Sequence, residues 1–187
     1  MGKIIVTEFI SMDGVMEAPG GGENFKYRGW SFAISRGNEG DQFKLDEALR
    51  AEALLLGRVT YQGLAAAWPS RTGEFADKFN NMPKYVVSST LKDAGWKNTT
   101  VLRGDALEEI SRLKLKGEIV VHGSAKLVQT LIEHDLADEL RLMVYPVVLG
   151  TGKRLFGATN DKKSWRLVAS QTVGDGVLIL TYRSTTD

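Results

Sequence analysis

The chain has 187 residues, 43% of them apolar and 25% charged, with a formal net charge of +1. That length suits one domain, 1–187, and so small a charge excludes a global attraction to nucleic acid or anionic lipid. With no cysteine and two histidines, His122 and His134, the chain is also without disulfides, a cysteine nucleophile or a His/Cys metal cluster, so no metal is expected.

The first element, KIIVTEFI (3–10), is β-branched and reads as a strand ending at Ser11-Met12-Asp13-Gly14. Its apolar run is too short and too alternating for a signal peptide. Val6 stands where a myristoylation motif wants Ser or Thr, and nothing approaches a membrane span, so a soluble, cytoplasmic domain is expected. Residues 15–40 are glycine-rich and aperiodic, and a loop this long inside a compact domain is usually functional or mobile. From Asp41 the text turns helical: Leu45, Ala48, Leu49 and Glu52 share one spacing, with Asp41 as N-cap.

ALLL (53–56) is wholly apolar, as in a strand covered on both faces. GRVTYQGL follows as a glycine turn into a short helix, and 66–83 reads as a connection with a helical turn or two. KYVVSST (84–90) and TTVLRGD (99–105) give two more strands. DALEEISRLKLK is a helix capped by Asp105, with an apolar stripe of Leu107, Ile110 and Leu113. GEIVVHG is a strand, and SAKLVQTLIEHD a helix with Leu127, Val128, Leu131 and Ile132 on one face. DELRLMVYPVVLG turns Leu140, Leu142 and Val144 inward, and the strands WRLVASQTV and VLILTYRS are joined at Gly174-Asp175-Gly176 as a hairpin. Alternating strands and helices finished by a hairpin predict a three-layer α/β fold. Its central sheet is mostly parallel, with helices on both faces and antiparallel strands at one edge.

In open parallel sheets, ligands sit outside the carboxyl ends of the strands. Small or polar residues occupy those ends at Ser11–Gly14, Gly57–Thr60, Ser88–Thr90 and His122–Ala125. Glycine lets backbone approach a ligand, and a following helix offers unpaired N–H groups to an anion. Gly57-Arg58 and Gly123-Ser124, on one sheet edge, would bracket a diphosphate. Neither a G-x-G-x-x-G opening nor a P-loop is present, and GTGKRLF (150–156) reads as a tight loop with no helix behind it.

The order SMDG … LLLGRVTY … YVVSST … VVHGSAKL … DLADELRLMVYPVVLGTGKRLF resembles the dihydrofolate reductase-like superfamily. More closely, it is similar to the reductase (C-terminal) domain of bifunctional riboflavin-biosynthesis proteins and its stand-alone relatives. The resemblance implies an NADPH-dependent reductase acting on a small heterocyclic or ribosylamino-pyrimidine substrate. A dihydrofolate or pterin reductase, or a non-catalytic NADP(H)-binding sensor, are the alternatives.

On that resemblance, Gly57, Arg58 and Thr60 face the cofactor's phosphates, and Ser88, Ser89 and Thr90 lie at the adenosine end. Gly123, Ser124, Ala125 and Leu127 line the diphosphate site. No arginine lies in VVSSTL, so Arg58 and Arg103 are the substitutes for a 2′-phosphate ligand. A cis peptide is implied at His122–Gly123. The proton donor is Asp41, unless it only caps its helix, or Asp13, unless it only shapes an Asx turn. His122 shapes the site and His134 lies on the surface. Lys153 and Arg154 are candidates for an anionic substrate, and Trp30 for stacking on it, while Trp68, Trp96 and Trp165 pack. The family also implies a homodimer, with the strand around Leu140–Val144 and the hairpin at its interface.

Overall fold

β-Branched and apolar side chains over Lys3–Ser11 make β1, which is paired on both edges in the middle of an eight-stranded sheet. The computed structural model describes residues 2–185. Ala53–Gly57 (β2), Lys84–Val87 (β3), Thr99–Leu102 (β4), Glu118–Val121 (β5) and Glu139–Tyr145 (β6) run parallel to β1. Trp165–Val173 (β7) and Val177–Ser184 (β8) close one edge as an antiparallel hairpin, in the order β4-β3-β2-β5-β1-β6-β8-β7. The expected architecture is the observed one.

Two helical layers cover the sheet. On one face Val6, Leu55 and Val121 pack with Ala106–Leu113 (α4) and Ala125–Glu133 (α5) through Ile110, Leu113, Val128 and Leu131. On the other, Leu54, Leu56 and Val120 meet Tyr61 of Arg58–Ala67 (α2) and Phe79 of Glu74–Asn81 (α3). Asp105 caps α4 by accepting from the Leu107 and Glu108 N–H groups, as its sequence predicts. No helix among the described residues is long and apolar enough to cross a membrane.

The helix Gly37–Arg50 (α1) departs from the sequence reading. It starts four residues before Asp41, with Arg36 as N-cap. Gly37, Asn38 and Gly40 are poor helix formers, so tertiary contacts set this start. The Ser35 carbonyl accepts from the Asp175 N–H at 2.7 Å, which seats the helix on the terminal hairpin. Its buried face is not the apolar stripe either: Lys44, Glu47 and Ala48 are buried, while Leu49 is 42% exposed.

In the long loop, Trp30 is buried edge-on to Tyr145 at 5.5 Å, and its Nε1 donates to the Glu17 carbonyl. It is a packing residue that anchors the loop, which corrects the stacking role expected for it.

Candidate functional site

The parallel strands end along one line, and a cleft of about 1540 Å³ runs across them from β4 to β1. All ten residues proposed from sequence for cofactor contact, Gly57, Arg58, Thr60, Ser88, Ser89, Thr90, Gly123, Ser124, Ala125 and Leu127, line it. β2 and β5 are neighbours, so their ends meet in the middle of the cleft, where the Gly57 N–H donates to the Gly123 carbonyl at 3.0 Å. A Cβ on Gly57 would lie 2.3 Å from Ser124 Oγ, and one on Gly123 would lie 2.9 Å from Thr60 Oγ1. Gly123 also has φ +97°, a conformation that other residues rarely adopt. The cis peptide lies at Gly123–Ser124, one residue beyond the expected position.

Helices α2 and α5 both start at this junction, and neither Gly57 nor Ser124 supplies a side-chain cap. Their first N–H groups and dipole ends therefore face the cleft without a side-chain acceptor, the donor set a diphosphate needs.

Towards β3 and β4 the lining is cationic. Ser88 Oγ accepts from the Thr90 and Leu91 N–H groups, so that hydroxyl builds its own turn. Arg103 follows β4 beside it and donates to the Leu91 and Lys92 carbonyls. Arg58 bonds Gln62, Arg71 lies over the Trp68 ring at 4.4 Å, and Lys126 stands exposed on the first turn of α5. None of these four cations is bonded to a carboxylate among the described residues. Trp68 thus has a second place, in the cleft wall as well as in the aromatic cluster with Phe75 and Phe79.

The opposite end, between β1 and α1, holds a buried ionic chain. Lys44 Nζ donates to Thr7 Oγ1 at 2.7 Å and to Glu47 Oε1 at 2.5 Å. Glu47 meets Arg141 of β6 at 3.5 Å, and Arg141 donates to Glu139 at 2.7 Å, which also accepts from Arg183 of β8. Glu8, next to Thr7 on β1, is 7% exposed, lines the cleft, and its Oε1 has no hydrogen-bond partner. Burial pushes its pKa well above the usual carboxylate range, against the pull of Lys44. His122 borders the same end, edge-on to Phe79 at 5.5 Å, and burial beside Lys44 pushes its pKa down to about 3.

Neither acid expected from sequence matches Glu8. Asp41 lines the cleft, but it is exposed and held by Arg36 Nε at 2.6 Å. Asp13 is not in the cleft lining: its carboxylate accepts from Ser11 Oγ, Leu149 N–H and Gly150 N–H. The Ser11 bond is the main cause of its pKa falling to about 2, so Asp13 is a tie between loops and keeps no proton to give. Lys153 is clamped by Glu17 at 2.8 Å and Glu23 at 2.9 Å, and Arg154 pairs with Asp13. Neither cation of GTGKRLF is left to an anion. His134 ends α5 in an exposed position, as expected.

The sequence reading missed Glu8, Lys44 and Glu47. The one signal was the placing of a Thr-Glu pair inside an otherwise apolar strand. A strand paired on both edges and covered on both faces has no solvent side for such residues.

Comparison with known proteins gives a match to the family model of the RibD C-terminal domain over residues 2–179. The uncharacterized protein YyaP of Bacillus subtilis (strain 168) is 26% identical over 187 residues, covering 96% of this chain and 94% of that one. A crystal structure from Shewanella sp. PV-4, of a protein ascribed to riboflavin biosynthesis, superposes with a TM-score of 0.80 at 23% identity, covering 98% of this chain and 99% of that one. Dihydrofolate reductase from Enterococcus faecalis, solved with NADP(H), superposes with a TM-score of 0.64 at 17% identity, covering 99% of this chain and 98% of that one. At these identities the two structures establish a shared fold.

Proposed function

The chain belongs to the RibD C-terminal domain family, and from that premise we propose an NADPH-dependent reductase acting on a carbon–nitrogen double bond in a small heterocyclic or ribosylamino-pyrimidine substrate. The observation that carries this reading is the Gly57–Gly123 junction. It sets two uncapped helix starts at mid-cleft, with unpaired cations on one side and a buried carboxyl on the other.

When bound, the nicotinamide supplies the hydride. In this proposal Thr60, Gly123, Ser124 and Ala125 hold the diphosphate through backbone N–H groups and hydroxyls. Gly57 lets it approach by lacking a side chain while its own N–H stays on the Gly123 carbonyl, and Leu127 lines the wall beside them. Ser89 and Thr90, with Arg58 and Arg103, receive the adenosine end and its 2′-phosphate. Dinucleotide length then brings the nicotinamide towards β1, where Glu8 and His122 line the cleft.

Glu8 takes the role proposed from sequence for Asp41 or Asp13. Burial favours its protonated form, so its O–H can donate to the substrate nitrogen as hydride reaches the carbon. The carboxylate left behind regains a proton from solvent through the cleft. His122, kept neutral, adds no positive charge beside it.

The test is quenching of protein fluorescence by NADPH and NADH, followed by loss of nicotinamide absorbance with pterins and ribosylamino-pyrimidines. Binding of neither dinucleotide would overturn the proposal. Binding with no oxidation across those substrates would favour a sensor.

A further inference from the structure

We propose that the substrate accepted by this cleft carries no phosphate: the end between β1 and α1 fits a neutral or protonated nitrogen heterocycle hydrogen-bonded to Glu8. This rests on the reductase reading above and narrows its substrate class.

The two ends of the cleft treat charge differently. On the α2, β3 and β4 side, Arg58, Arg71, Arg103 and Lys126 line the cleft and none is bonded to a carboxylate among the described residues. An anion arriving there meets cations whose charge is not yet spent.

On the α1 side the lining cations are Arg36, Lys44 and Lys153, and each is already held by acid. Arg36 grips Asp41 at 2.6 Å, Lys44 grips Glu47 at 2.5 Å, and Lys153 sits between Glu17 and Glu23 at 2.8 and 2.9 Å. The pKa of Lys153 is raised by those two carboxylates, so its proton is bound to them more tightly than usual. Beyond the cleft, Arg154 is engaged by Asp13.

A phosphate dianion at this end would have to break one of these pairs or lie beside the carboxylates of Glu17, Glu23 and Asp41. Both routes disfavour it, because like charges at close range suppress the wrong partner. What the end does lack is a hydrogen-bond partner for the buried Oε1 of Glu8, a residue that lines the cleft. A ring nitrogen or exocyclic amine satisfies that atom, whichever side carries the proton.

The experiment is calorimetric titration of the full chain saturated with NADP⁺, using a ribosylamino-pyrimidine, its 5′-phosphate ester and an unsubstituted pterin. The phosphate ester should bind about tenfold more weakly than its nucleoside, a difference of about 1.4 kcal/mol. Replacing both clamps, Glu17→Gln with Glu23→Gln, frees Lys153 and should close that gap. Glu8→Gln should weaken the nucleoside or the pterin about tenfold, since the amide matches the acid's shape but not its proton exchange. A phosphate ester that binds more tightly than its nucleoside in the unmodified chain overturns the proposal. So does failure of all three probes, or indifference to Glu8→Gln. These failures leave the cofactor reading standing, because NADPH quenching of the unliganded chain tests that reading separately.

Discussion

The N–H of Gly57 donates to the carbonyl of Gly123 at 3.0 Å, tying the end of β2 to the end of β5. Each strand there turns into a helix, so one hydrogen bond fixes the spacing of two helix starts. That spacing is what a diphosphate would meet.

Gly57→Ala tests the junction. Its new Cβ would lie 2.3 Å from Ser124 Oγ and 2.9 Å from Ser124 N, so the two turns must part. We expect a stability loss of about 1–3 kcal/mol, as for overpacked sites, and a fall in NADPH affinity of at least about tenfold. Fluorescence titration and urea unfolding separate the two effects. Ser124→Gly in the same chain should restore part of the affinity.

This junction was legible in the sequence, because glycine after an apolar run at two strand ends is a local pattern. The strand-helix alternation and the Asp105 cap were legible for the same reason. The start of α1 was not: Gly37, Asn38 and Gly40 oppose a helix, and the Ser35–Asp175 contact that places it spans 140 residues. Nor was the proposed acid. Asp41 stood out as a carboxylate at the start of a helix and Asp13 as one in a strand-end turn, yet each is occupied by local partners, Arg36 for one and Ser11 with two N–H groups for the other. Glu8 drew no reading from the sequence, because its burial depends on β1 lying between β5 and β6 and being covered on its faces, both set by distant segments.

Glu8 and Asp41 should separate in kinetics. Glu8→Gln should lower the rate of NADPH oxidation by about 10²–10⁴ while leaving cofactor binding in place. Asp41→Asn breaks an exposed pair and should change stability by less than about 1 kcal/mol, with turnover altered only a few-fold. If Asp41→Asn instead abolished turnover with Glu8→Gln active, the acid would be reassigned to Asp41.

Asp13→Asn examines the loop tie. The carboxylate joins the β1 turn to the Leu149-Gly150 backbone, and we expect a loss of about 1 kcal/mol with NADPH affinity unchanged. The folded pKa lies at about 2, below the usual 3.8, so the stabilisation is present above 3.8 and is lost as pH falls through about 2. Urea unfolding of both chains between pH 2 and 5 checks the sign.

His122 has the opposite acid signature from a surface histidine. Burial first, and then the Lys44 charge, lowers its pKa from 6.5 to about 3, partly offset by Glu47. The unfolded chain therefore takes up a proton below 6.5 that the folded chain refuses until about 3, and stability falls as pH drops through that window. Glu8, with its raised pKa, acts in the reverse sense above 4.5, but it is common to both chains compared. Between pH 7 and 5, the unmodified protein should lose up to about 2 kcal/mol relative to His122→Asn, measured by urea unfolding. Parallel curves for the two chains would contradict a His122 held neutral.

The chain Thr7–Lys44–Glu47–Arg141–Glu139–Arg183 has a consequence for how this protein can be recombined. Its members lie on β1, α1, β6 and β8, far apart in sequence but bonded in series beneath the pocket. A chimera that imports α1 from a relative without the matching β6 strands a buried charge, a fault costing about 3–5 kcal/mol when one partner of such a pair is removed. The viable crossover points are therefore those that keep α1 and β6 together, and the pocket floor is inherited as one block.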